Sequence, residues 1–151
     1  MNGQLTTHSL NEPLFHLKRE SMGVIVQSKQ YVIVGDPVPL ARARRAVTSR
    51  MWDAQKAVKL ARGLQLIQQH IDMPLFMGPL PLDVTFFFEP AKCTPLDALH
   101  FHKPDLSNLI KFVEDVATGI LYKDDCLISS ITSKKCYDKE PKTVFTITQL
   151  S

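Results

Sequence analysis

No apolar run among the 151 residues approaches the roughly 20 needed to span a bilayer. The longest, around residues 80–88 and 106–113, are broken by Asp83 and Lys111. A membrane-spanning helix is therefore excluded, and no membrane partner is expected. The N-terminal stretch MNGQLTTHSLNEPLFHLKRES carries His, Glu and Lys where a secretory signal needs an unbroken apolar core, so a cytoplasmic location is expected. Cysteine is scarce. Cys93, Cys126 and Cys136 are odd in number and show no CxxC spacing, which argues against both a disulfide framework and a zinc ribbon and leaves three ordinary thiols. Internal repeats and low-complexity segments are absent as well. Net charge is only +3, too little to name a partner by itself.

What is there is unevenly placed. Between Pro39 and Gly63, seven basic residues (Arg42, Arg44, Arg45, Arg50, Lys56, Lys59 and Arg62) face a single acid, Asp53. Such a segment is either a solvated helix face behind a charged turn or a surface for phosphates. Two prolines, Pro37 and Pro39, favour an extended chain, in which Arg42 and Arg44 point the same way.

A chain of this length folds as one domain that buries about two-thirds of its unfolded surface. Residues 1–28 show no clean periodicity and read as an N-terminal extension, with the domain proper at 29–151. Tyr31 to Val34, closed by Gly35, Asp36 and Pro37, reads as a buried strand. Asp53 stands as a cap for a helix in which Ala57, Leu60, Ala61, Leu64, Ile67 and Ile71 recur at helical spacing until Pro74, and that stripe is the expected buried face. Leu82, Val84, Phe86 and Phe88 alternate with Asp83, Thr85 and Phe87 as a half-buried strand. A proline-bounded loop over 90–104 leads to a second helix from Asp105 to about Gly119. Its apolar face is Leu106, Leu109, Ile110, Val113, Val116, Ala117 and Ile120. Two strand-like runs, 127–132 and 143–148, close the chain and suggest a hairpin. The order predicts an α+β fold: a mixed sheet with two main helices packed on it.

The second helix carries a polar set. Asn108, Lys111 and Asp115 fall on one side, away from the apolar face. Asp105 stands at the entry, where its carboxylate either caps the first turn or faces outward toward a cation. Asp124 and Asp125 follow the helix, and two adjacent carboxylates repel unless a cation offsets them. Hard oxygen ligands, a lysine and a separate arginine patch together suit Mg²⁺- or Mn²⁺-dependent hydrolysis of a phosphodiester. A His100-x-His102 pair in the loop is a weaker candidate for a metal.

The segment KPDLSNLIKFVEDVATGILYKDD resembles the central motif of the RusA-type Holliday-junction endonucleases: a proline-led D-x-D-N, a lysine one turn on, and a DD pair after a helix and turn. GDPVPLARARR is similar to the family's early Gly-x-Pro-x-Pro turn with basic residues behind it. The resemblance runs from about Tyr31 to the last strand. It implies a homodimeric, Mg²⁺- or Mn²⁺-dependent endodeoxyribonuclease acting on four-way DNA junctions in recombination and repair, with no small-molecule cofactor. Carried over residue by residue, it implies Asp105, Lys111 and Asp125 as catalytic residues, and Asp105, Asp125, Asp124 and Ser107 around the metal. Asn108 and Asp115 would support them, and Arg42, Arg44 and Arg45 would contact DNA. One position departs. Ser107 stands where the family has a carboxylate, with Glu89 and Asp115 as conceivable substitutes. The competing reading is therefore a junction-binding protein whose chemistry is weakened by the loss of that charge.

Overall fold

The computed structural model describes residues 24–41, 53–96 and 98–151. Its elements, in order, are strand β1 (Ile25–Val34), helix α1 (Lys56–Gln69), strand β2 (Leu80–Phe88), helix α2 (Leu106–Ala117), a short 3₁₀ turn (Asp125–Leu127), strand β3 (Ile128–Tyr137) and strand β4 (Lys142–Leu150). This is the expected α+β architecture: a mixed four-stranded sheet with two helices. Among the described residues no helix is long and apolar enough to cross a membrane.

The strand order is β1-β4-β2-β3. The expected hairpin between the last two strands is not formed. β2 lies between them, paired parallel to β3 and antiparallel to β4, while β4 also pairs antiparallel with β1. β2, with the sequence LPLDVTFFF, is the strand with most apolar surface to bury, and an interior place gives it a partner on each edge. The β2–α2–β3 unit is thus a parallel crossover, with α2 returning the chain from the end of β2 to the start of β3.

Alternation along β2 holds: Leu80, Leu82, Val84 and Phe86 are buried. They meet Tyr31 and Ile33 of β1, Phe145 and Ile147 of β4, Leu66 of α1, and Leu109, Phe112, Val113, Val116 and Ala117 of α2 in one core. The α2 face is the one read from periodicity, with Phe112 added. Beyond it, Gly119 adopts φ +84°, a left-handed turn that favours glycine and that starts the chain back toward β3.

Helix α1 corrects the sequence reading in three ways. It ends at Gln69 rather than near Pro74. Asp53 lies two residues before the cap position, Gln55, and its carboxylate accepts the Gln55 N–H at 2.9 Å. The third difference is the buried face. Leu60, Leu64 and Ile67, with Ile71 just after the helix, are 65, 51, 47 and 63% exposed, while Gly63 and Leu66 are buried. The reason is the edge of β1. The Gln69 amide accepts from Val32 N at 2.9 Å and donates to Val32 O at 2.7 Å; the Gln65 amide accepts from Val34 N at 2.8 Å and donates to Val34 O at 3.3 Å. Arg62 also donates to the Val34 and Asp36 carbonyls. Residues 62, 65 and 69 occupy one helical face, and by satisfying an open strand edge they turn the leucine stripe outward.

Candidate active site

Asp105 is the N-cap residue of α2, with extended backbone, yet its side chain makes no capping bond. The carboxylate stands exposed at the helix entry, so capping is not its role. The backbone leading to it is tied to β3: Lys135 Nζ donates to the His102 carbonyl at 2.6 Å and the Pro104 carbonyl at 2.8 Å. His100 N donates to Lys135 O at 2.9 Å, and the His100 ring stacks on Phe88 at 4.3 Å and leans on Tyr137 at 5.1 Å. Burial, then the nearby Lys135 and His102 charges, push the His100 imidazole below its ordinary pKa. Of the candidate pair, His100 is thus packed on the sheet and anchors the loop before Asp105, while His102 is exposed.

Ser107 and Lys111 are exposed on α2, and Asn108 is half-buried with its carbonyl accepting from Leu40 N at 2.9 Å. Asp115 does not pair with Lys111; it accepts from Lys59 of α1 at 3.3 Å, and Lys59 also holds Asp53 at 3.0 Å. Burial works against the Lys59 charge, but its bonds to Asp53 and Asp115 keep the ammonium above its usual value.

The adjacent aspartates have separate roles. Asp124 turns inward to accept from Cys126 N at 2.9 Å, capping the 3₁₀ turn, and this bond holds its carboxyl low. Asp125 is pushed up, chiefly by its hydrogen bond with Asp124 and then by burial and by the Asp124 and Asp115 charges. Glu114, which sequence reasoning passed over, is pushed up by burial and by the Asp125 and Asp115 charges, with Lys111 opposing. Its only signal in the sequence was its place beside Asp115. Lys135 had none, because its role depends on which loop crosses β3.

The crossover decides which of these groups meet. Asp105 lies at the end of the unit where Phe88 of β2 pairs with Tyr137 of β3, and Asp125 lies three residues before Ile128, at the end where Leu80 pairs with Ile128. Twelve residues of α2 run between the two ends. At about 1.5 Å per residue, Asp105 and Asp125 are on the order of 15 Å apart within one chain. Among the described residues, no three carboxylate, imidazole or thiolate groups gather as metal ligands. Glu89 follows β2 at the Asp105 end and is exposed; Asp115 belongs to the other end. The DNA contacts read for Arg42, Arg44 and Arg45 lie outside the described residues. In the described part of the basic segment, Arg62 and Lys59 are engaged in internal bonds.

The family model described as Endodeoxyribonuclease RusA matches residues 35–148, most of the chain. Among curated proteins, one relative described as an uncharacterized protein, YqaN of Bacillus subtilis (strain 168), is 24% identical over 137 residues, which cover 81% of this chain and 96% of that protein.

Proposed function

Because the chain belongs to the RusA endodeoxyribonuclease family, DNA endonucleases of branched junctions, we propose that it resolves four-way junctions by paired, divalent-metal-dependent hydrolysis of phosphodiesters, acting as a homodimer in recombination and repair. The observation that carries this reading is the Asp105 carboxylate. It stands uncapped at the head of α2 on a loop that Lys135 braces, with Lys111 exposed on the same helix.

In donor chemistry the residues suit a hard cation, since Asp105 and Asp125 offer carboxylate oxygens and Ser107 a hydroxyl. In arrangement, the residues of one chain do not make the site, because the two carboxylates stand at opposite ends of α2. A bound Mg²⁺ or Mn²⁺ would supply electrophilic activation of the phosphate and of water. The chain's own residues would do the rest. Lys111, free of any ion pair with Asp115, would offset the negative charge that grows on the phosphate oxygens in the transition state. Arg42, Arg44 and Arg45 would hold the polyanionic backbone. A homodimer follows from the substrate, because two symmetric nicks need two centres related by a two-fold axis.

Incubating the full chain with an end-labelled four-way junction and Mg²⁺ or Mn²⁺ tests the reading. Paired nicks in opposing strands are expected, with linear duplex left uncut. Binding without any cleavage would instead assign a junction-binding role to the Ser107-bearing protein.

A further inference from the structure

We propose that Phe101 stacks on an open base at the branch point and so selects four-way junctions over linear duplex. This rests on the junction-endonuclease reading and names a side chain that recognises its substrate. Phe101 is 82% exposed, the most open of the large apolar side chains among the described residues. Its backbone is nonetheless held on both sides. Before it, Leu99 bridges to Cys136 and His100 N donates to Lys135 O at 2.9 Å; after it, Lys135 Nζ holds the His102 and Pro104 carbonyls. The His100 ring packs on Phe88 and Tyr137, and its neighbour Phe101 faces away from the sheet into solvent.

What surrounds the ring suits a base with one face open. The His102 ring lies 4.3 Å from it at 34°, which widens the flat surface, and exposed Lys103 follows with a charge for the backbone. Rings for bases beside cations for phosphates are how proteins hold bases that lack a stacking neighbour. Asp105 is four residues on, no more than about 14 Å away at ~3.6 Å per residue, which is a few nucleotide steps. In linear duplex each base is covered on both faces by its neighbours, and a ring enters only by unstacking a step at considerable cost. Where the arms of a junction part, strands change partner and a base loses a neighbour, so that cost is reduced. The same ring therefore adds affinity on a junction and none on a duplex.

Anisotropy titrations of the full chain without divalent metal, on a four-way junction and on linear duplex of the same arm sequences, test this. Phe101→Ala should weaken junction binding between about 5- and about 150-fold, the range for losing one base stacked on an aromatic ring, and leave duplex binding within about two-fold. Phe101→Trp should keep the parent's junction affinity and Phe101→Leu should not, because leucine is apolar without an aromatic face. The ring is in solvent, so the circular dichroism of all three variants should match the parent's. A direct readout places Phe101→Trp in a Trp52→Phe background, where residue 101 carries the one tryptophan. Its emission should be quenched by junction and not by duplex. Unchanged junction affinity in Phe101→Ala, equal losses on junction and duplex, or full affinity with leucine overturns the proposal. So does a shift in mass or melting temperature in Phe101→Ala with both affinities intact, the result expected if a second copy of the chain or its own residues 1–23 cover the ring. If the parent itself holds junction no more tightly than duplex, the junction-endonuclease reading fails, and the selection proposed here with it.

Discussion

A hydroxyl replaces a carboxylate at Ser107, two residues after Asp105 and on the first turn of α2. A hydroxyl ligates a hard cation weakly and carries no charge, so the proposed metal site would be one anionic oxygen ligand poorer at Asp105 than the motif it resembles. Ser107→Asp is therefore expected to lower the Mg²⁺ concentration for half-maximal junction cleavage by several-fold, measured by titrating metal at fixed DNA. An unchanged midpoint would place residue 107 outside the metal's reach. Lys111 has a different task. If it stabilises charge that appears only in the transition state, Lys111→Ala should slow single-turnover cleavage about 100-fold or more while the Mg²⁺ midpoint stays put. The placement of Asp105, Ser107 and Lys111 at the entry and on the first turns of one helix was legible in the sequence, because spacing on a helix is a local property. The separation of roles between Asp124 and Asp125 was not, because it depends on which carboxylate finds the Cys126 N–H.

At the scale of elements, two couplings make predictions. Lys135 joins β3 to the carbonyls of His102 and Pro104, so it sets the backbone from which Asp105 projects. Lys135→Met keeps the aliphatic stem and removes both bonds; junction affinity should hold while the cleavage rate falls by at least several-fold, read in single-turnover experiments at saturating DNA. The second coupling closes the core under the end of α1. Tyr31 OH bonds to His70 Nδ1 at 2.7 Å, and His70 Nε2 lies 3.0 Å from Pro74 O. With Nε2 donating to that carbonyl, Nδ1 is left to accept from the phenol, a set that only neutral imidazole satisfies. Burial, the first cause, and the Lys29 charge push His70 below its ordinary 6.5, with the Pro74 bond opposing. The unfolded chain therefore binds a proton that the folded chain refuses. Stability is complete above pH 6.5 and is lost as pH falls from there through the lowered folded value. Urea midpoints should decline between pH 7 and pH 5.5. Tyr31→Phe should cost about 1–2 kcal/mol at pH 7 by leaving the buried Nδ1 without a donor.

Across the whole molecule, charge and apolar surface are sorted to different places. Excess positive charge is concentrated between Pro39 and Gly63, and cations at a phosphate backbone release counterions on binding. Junction affinity should therefore fall steeply with salt, and Arg42→Ala with Arg44→Ala should lower both the affinity and the slope of log K against log salt. A slope equal to the parent's would put the phosphate contacts elsewhere. Both sheet edges are met in part by side chains or loop. Gln65 and Gln69 pair with the β1 backbone, and Leu99 bridges to Cys136 at the far end of β3.

The sequence by itself determined the secondary elements, the α+β class, the buried face of α2 and the motif of the second helix. All of these rest on contacts within a few residues or on a strict period of two or 3.6. Only the tertiary structure decided three things. It put β2 between β3 and β4, since strand order follows from which apolar strand most needs two neighbours. It turned the α1 leucines to solvent, because two glutamine amides bond the β1 backbone at Val32 and Val34, a contact that periodicity within one helix does not reveal. And it set Asp105 and Asp125 at opposite ends of α2, because a parallel crossover carries the chain the full length of a helix between them.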